Sequence, residues 1–361
     1  MSGGVVQVRT SGGDSEAQLA NHVTPTVDAE RCVHGRSPIA QCRACVVACP
    51  VAAFVLEDEG LTFDEDRCDG CALCAAACPE QAIDVGSAIS PLVSPPVDAE
   101  RAFMACEKVG AFGEPGMVTC LHAVSTAALT RLHARGIGVL VVAQVDCAGC
   151  SRNYGLTLTD HLSHLTRLTS DRGLPPLLVR QVDAATWRDE RDDAGRMTRR
   201  TLFRAALGGR PAHRTADDAS PADAPIGVAA PDLLLGARDR ATIASFSPII
   251  DQATCVACGV CVEVCEHDAL RMADREGDGA RYEIDGTRCT GCALCVDGCE
   301  PGAIVLSAWG AARPVPVALV KGKCRRCSSP FHAVARAAVD TSLCRICATK
   351  SHHHKLFQVL P

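Results

Sequence analysis

Between residues 100 and 190 the apolar period of the chain switches repeatedly. AFMAC (102–106) is a short apolar run, and PGMVTC ends at Cys120. LHAVSTAALTRLHAR (121–135) places its apolar residues at helical intervals and stops at Gly136. VLVVAQV (139–145) is β-branched and continuous, as a buried strand is, and LTLTDHLSHLTRLTSDR (156–172) repeats Leu at helical spacing until Gly173. LLVRQVD (177–183) is again strand-like. Strand, helix, strand, helix, strand predicts a small α/β domain on a parallel sheet.

The flanks have a different pattern. VLEDEGLTFDEDR (55–67) and RMADREGDGARYEIDGTR (271–288) predict hairpins, the second turning at Gly277–Gly279. MTRRTLFRAAL (197–207) predicts a short basic helix with Met197, Leu202, Phe203 and Leu207 on one side. The twin arginines there lie far from the start of the chain, and MSGGVVQVRT lacks the layout of a signal peptide. Residues 209–231 carry four Pro among small residues, which predicts a linker. No apolar run approaches the ~20 residues of a membrane span.

Composition sharpens this picture in one respect. The chain of 361 residues is 47% hydrophobic but only 3% aromatic, and it holds 24 cysteines. Secreted disulfide scaffolds are short, and these cysteines repeat at metal-ligand spacings. CDGCALCAAACPE places Cys68, Cys71, Cys74 and Cys78 as C-x2-C-x2-C-x3-C, followed by Pro79. The same spacing recurs at Cys255, Cys258, Cys261 and Cys265, and at Cys289, Cys292, Cys295 and Cys299. An irregular copy keeps Cys42, Cys45, Cys49 and Pro50, with its first cysteine displaced to Cys32. Three thiolates in a tight loop face three corners of an iron–sulfur cube, and the fourth, expected to open a helix, turns away. Zinc sites use ligands in pairs, which these runs do not provide.

With these runs, residues 28–85 and 250–305 each resemble a bacterial eight-iron ferredoxin. The resemblance implies two α+β dicluster modules with crossed ligands. Cys32, Cys42 and Cys45 would share one [4Fe-4S] cluster with Cys78, and Cys68, Cys71 and Cys74 another with Cys49. In the second module Cys255, Cys258 and Cys261 would close on Cys299, and Cys289, Cys292 and Cys295 on Cys265. Glu266 stands where the family has Pro after Cys265, and Pro301 follows Cys299 one residue late.

Of the remaining cysteines, Cys106, Cys120, Cys147 and Cys150 fall at the carboxyl ends of the predicted strands, where sites in open parallel sheets gather. The arrangement is similar to the cluster-binding domain of electron-transfer subunits of hydrogenase–heterodisulfide reductase systems, and to ferredoxin-like companions of formate dehydrogenases. That resemblance implies a fifth iron–sulfur centre of unspecified nuclearity. Zinc, buried core thiols with a stray dithiol, and a thioredoxin-like dithiol are the competing readings. His122 and His133 are placed on the following helix, solvated or packed, with His122 the nearer to the thiols.

In the tail, Cys324, Cys327, Cys344 and Cys347 form C-x2-C-x16-C-x2-C, a zinc-ribbon or knuckle spacing, with a rubredoxin-type iron as the alternative. His352, His353 and His354 in the polar end are read as solvated.

Charge divides the chain. Residues 1–100 carry fifteen acidic residues against five Arg, a net of −10, and residues 321–361 carry eight Lys or Arg against Asp340, a net of +7. A basic zinc tail suggests nucleic acid, but aromatics for base stacking are limited to Phe331 and Phe357, so an acidic protein partner fits better.

The expected organisation is an N-terminal segment to 27, dicluster modules at 28–99 and 232–310, an α/β metal-binding domain at 100–190, a helix at 191–208, a linker at 209–231, and a zinc-knuckle tail at 311–361. The expected function is a cytoplasmic polyferredoxin relaying low-potential electrons between a donor and a formate dehydrogenase- or hydrogenase-like enzyme. The chain shows no phosphate-cradling glycine motif, nucleophile–base pair or open catalytic metal pattern, so it reads as an electron-transfer subunit without substrate chemistry of its own. An iron–sulfur sensor, or an assembly factor using the zinc tail, is the rival.

Overall fold

The computed structural model describes residues 24–57, 60–86, 100–110, 114–143, 145–194, 230–277, 279–336 and 342–349. The predicted helix at 197–207, the body of the linker and His352–His354 lie outside them. The chain divides into two compact units, one comprising residues up to Pro38 and Cys42–Ala241, the other Ile39–Gln41 and Thr242–Pro361.

In the first unit, β1 (Thr26–Val27) pairs antiparallel with β4 (Ile83–Asp84), and β2 (Phe54–Glu57) with β3 (Gly60–Phe63). The hairpin falls where the alternation of VLEDEGLTF placed it, Phe54 opposite Phe63 with ring centroids 4.8 Å apart. Helices Ala44–Ala48 and Leu73–Ala77 pack together over it. Strands β5 (Arg101–Cys106), β6 (Met117–Val118), β7 (Val139–Ala143) and β8 (Leu178–Val182) form a sheet of order β6-β5-β7-β8, parallel throughout.

Helix Thr126–Ala134 starts at Ser125, whose hydroxyl accepts the Ala128 N–H, and helix Leu158–Asp171 starts on a Thr157–Asp160 capping box. Such caps satisfy N–H groups that the first turn leaves orphaned. Residues 184–194 form a further helix that buries Trp187 completely, with Nε1 donating to the Val141 carbonyl at 3.3 Å. The sheet domain and the dicluster frame share a core, in which Cys120 and Ala123 bury beside Phe63, Cys71 and Leu73.

In the second unit, β9 (Phe246–Ile250) pairs with β12 (Ile304–Ala308), and β10 (Leu270–Ala273) with β11 (Arg281–Ile284), reproducing the frame of the first module. The tail does not stand apart. Its strand β13 (Val317–Lys323) adds to β11, and β14 (Pro330–Val334) pairs with β13, giving the order β10-β11-β13-β14.

A second boundary also differs. Helix Pro231–Leu234, expected at the end of the linker and the start of the second module, packs on helix Thr126–Ala134 in the first unit. Asp232 there meets Arg172 at 2.6 Å, with both side chains fully buried. A buried charge is tolerated when it is paired in this way.

Candidate metal centres

Each cysteine run builds the same local structure. The residue after the second cysteine is left-handed in three of the runs: Ala72 (φ 65°), Gly259 (φ 81°) and Ala293 (φ 64°). It caps a one-turn helix that carries the third cysteine. In the irregular first run Arg43 takes that place with φ −127°. The fourth cysteine does not open a helix, as the spacing suggested. It follows the end of one, as Cys49 and Cys78 do at the C-caps of their helices.

A further left-handed residue follows in all four runs: Ala52, Gln81, Asp268 and Gly302. This kink brings a backbone N–H back onto the fourth thiol, Ala53 to Cys49 Sγ at 3.2 Å, Ala82 to Cys78 at 3.3 Å and Ala303 to Cys299 at 3.1 Å. The first thiol is served by the residue two ahead, Gly70 to Cys68 and Ala257 to Cys255, both at 3.4 Å. Sequence reasoning missed this repeat because three of the four kinked residues are not glycine.

The runs interlock. One cavity is lined by Cys32, Cys42, Cys45 and Cys78, and another by Cys49, Cys68, Cys71 and Cys74. In the second unit Cys255, Cys258, Cys261 and Cys299 line a third. Burial raises the Cys45 thiol to about 12, reinforced by Cys42, Cys78 and Cys32. Burial likewise raises Cys295, with Cys289, Cys292, Cys265 and Cys261 as neighbouring charges. Cys261 feels Cys258, Cys255 and Cys299 in the same way and rises to about 12. Thiols that oppose one another's ionisation, several of them met by amide N–H groups, fit a polycationic core that binds them as thiolates.

The displaced Cys32 is brought in by its own contacts. It caps the short helix Val33–Arg36, and Arg36 pairs at 3.0 Å with Glu80, just past Cys78. Tyr282 on β11, unforeseen from the sequence, lines the Cys255 cavity, whereas Leu61 on β3 lines the Cys32 cavity.

The middle cysteines also converge. Cys106, Cys120, Cys147 and Cys150 line one cavity of about 240 Å³ at the carboxyl edge of the parallel sheet, together with Lys108, His122 and Arg152. The Lys108 N–H reaches Cys106 Sγ at 3.5 Å, the same donor position used in the dicluster runs. Burial raises Cys120 to about 11 and also raises Cys106 and Cys147.

His122 stands not on the long helix but in a single 3-10 turn before it, buried, with Nδ1 accepting the Leu158 N–H at 3.1 Å. His133, on the helix, bonds the Pro175 carbonyl at 2.8 Å through Nε2.

In the tail, the Sγ atoms of Cys324, Cys327, Cys344 and Cys347 all lie within 4.8 Å of one another. Among the described residues this is the one such group so compact. Backbone N–H groups, that of Cys344 foremost, hold the Cys324 thiol down to about 6. These four could hold a single metal ion, whereas the other sets are spread more widely.

Residues 39–82 and 254–303 match the family model of the 4Fe-4S dicluster domain. Both modules are therefore iron–sulfur dicluster domains. The match covers the crossed runs except the displaced Cys32, and leaves the parallel-sheet domain and the tail outside it. No curated protein matches the chain. Two dicluster domains imply 4Fe-4S clusters and an electron-transfer role with redox partners. Among the described residues no helix is long and apolar enough to cross a membrane.

Proposed function

We propose that the chain is a cytoplasmic polyferredoxin carrying low-potential electrons between a donor and a formate dehydrogenase- or hydrogenase-like enzyme. The observation that carries this reading is the interlocking of the runs, in which three thiols of one run share a cavity with the fourth thiol of the other. The ligand sets are Cys32, Cys42, Cys45 and Cys78; Cys68, Cys71, Cys74 and Cys49; Cys255, Cys258, Cys261 and Cys299; and Cys289, Cys292, Cys295 and Cys265. A bound cluster supplies one reversible electron at a potential that its surroundings set. The protein's part is to hold the thiolates, donate amide N–H groups to them and exclude water.

Cys106, Cys120, Cys147 and Cys150 hold a fifth iron–sulfur centre in this reading. These four thiols surround a cavity of about 240 Å³, room for more than one metal ion, which favours a polynuclear centre over zinc. The tail holds one structural zinc on Cys324, Cys327, Cys344 and Cys347, since two knuckles supply a tetrahedron of thiolates to a segment with little core.

Anaerobic iron, sulfide and zinc analysis with EPR tests the assignment. Four cubanes give about 16 irons, a fifth cubane about 20, and a two-iron centre about 18. A count near 16 with Cys147 and Cys150 titrating as free thiols would remove the fifth centre. Failure to mediate electron flow from any low-potential donor, with oxygen-triggered cluster loss and a change of partner, would make the protein a sensor.

A further inference from the structure

Arg152, two residues beyond Cys150, lies between the middle cavity and the nearer dicluster loop. Its side chain is only 13% exposed. Nε donates to Asp69 Oδ2 and a terminal nitrogen to the Asp69 carbonyl, both at 2.8 Å. The other terminal nitrogen donates to the Thr119 carbonyl at 3.1 Å and to the Glu107 carboxylate. These partners are ligand-loop residues. Asp69 lies between Cys68 and Cys71 and accepts the Cys71 N–H at 3.2 Å, Glu107 follows Cys106, and Thr119 precedes Cys120. Thr119 closes the contact from the other side, its hydroxyl donating to the Cys71 carbonyl at 3.3 Å.

The geometry points to Arg152 as a positioning residue that couples two metal centres, the one at Cys106, Cys120, Cys147 and Cys150 and the one at Cys49, Cys68, Cys71 and Cys74. The inference rests on the reading of both sets as iron–sulfur sites. One planar fork holds the two ligand loops in register, which a lysine cannot reproduce. It also places a buried positive charge between two sites that gain negative charge on reduction. In a poorly solvated position such a charge acts strongly on both neighbours. It favours their reduced forms and screens each from the other. The outer site at Cys32, Cys42, Cys45 and Cys78 has no part in this network, since none of its residues meets Arg152 in these bonds. No proton or covalent change is involved, because the guanidinium remains charged throughout.

The asymmetry between the two modules follows from the same contact. The module beside the sheet domain has one site whose ligand loop is bonded to the middle centre through Arg152, and one whose residues take no part in those bonds.

Redox titration of the fully loaded chain, followed by EPR, tests the coupling. Arg152→Met should shift the midpoint potentials of the middle and inner sites downward together and leave the outer site in place. Arg152→Lys should restore part of the shift. Glu107→Gln, which keeps an oxygen acceptor but removes a negative charge, should move the same two potentials upward. It provides the test if Arg152→Met fails to load. Unchanged potentials, an equal shift of all three sites, or movement of the middle site alone would overturn the coupling. Iron analysis of Cys147→Ser/Cys150→Ser separates this from the underlying assignment. Unchanged iron in that variant means the middle set is no iron centre and the coupling falls with it. Lost iron together with insensitivity to Arg152→Met means that only the coupling is wrong.

Discussion

Cys78 shares a cavity with Cys45, while Cys74, at the other end of the same short helix, shares one with Cys49. The helix Leu73–Ala77 thus separates two thiols of one run and delivers them to different sites. Cys49→Ser should therefore perturb the EPR signal of the centre held by Cys68, Cys71 and Cys74, and leave that of Cys32, Cys42 and Cys45 in place. Loss of the second signal with retention of the first would mean that each run closes its own site.

Removal of metal from the tail should be separable from the clusters. A zinc chelator, or Cys344→Ser, should release one zinc and melt the 324–349 region while the cluster EPR is unchanged. Free thiols in such a compact set repel as thiolates, and without the metal the second knuckle is tied to the first mainly by the Arg325–Ser342 and Arg326–Cys347 hydrogen bonds. Zinc retained in Cys344→Ser, or a reversible one-electron iron signal from the tail, would contradict the assignment.

His161 predicts a pH dependence in the first unit. Its Nδ1 accepts the Thr126 N–H at 3.2 Å and sits within hydrogen-bonding distance of the Thr126 hydroxyl, at 3.0 Å. Burial lowers its pKa from 6.5 to about 4; His164 and His122 act in the same direction and Asp160 opposes them. The fold thus favours the neutral ring. Its contribution is complete above the unfolded value of 6.5 and is lost as pH falls toward 4, a total of about 3 kcal/mol. His161→Asn, whose Oδ1 can accept the same N–H, should flatten the fall in melting temperature between pH 6.5 and 4. An unaltered slope would show that the loss arises elsewhere.

Trp187→Ala should destabilise the parallel-sheet domain by about 3–5 kcal/mol, the range for large aromatic deletions in a core. The indole is fully buried, bonds Val141 through Nε1 and lies 4.7 Å from the Arg191 guanidinium. Denaturant unfolding checks this, and a cost under about 1 kcal/mol would mean the site collapses around the deletion.

Much of this was legible because thiol spacing and apolar period are local signals. The four strands of the middle sheet fall in the runs AFMAC, PGMVTC, VLVVAQV and LLVRQVD. The first three are buried and read as apolar stretches, whereas the edge strand Leu178–Val182 is largely exposed and carries Arg180 and Gln181. The hairpins follow from alternation and turn residues in the same way. What the sequence hid is nonlocal or conformational. Arg152 meets Asp69 from 83 positions away and Glu107 from 45, and neither separation leaves a trace in composition. Ala72 and Gln81 adopt left-handed backbone that their side chains do not advertise. The tail strand β13 looked independent because its partner, β11, belongs to a hairpin that is already complete in sequence.

The interlocking of the runs also orders biosynthesis. A ribosome that has released Cys49 has exposed every thiol of the first run, yet the set it shares with Cys68, Cys71 and Cys74 is whole only at Cys74, and the set of Cys32, Cys42 and Cys45 only when Cys78 has emerged. Cluster insertion in the first module must then await synthesis of the second run, and a chain interrupted between the runs would offer the delivery machinery one three-thiol cradle, a lone Cys49 and no finished site.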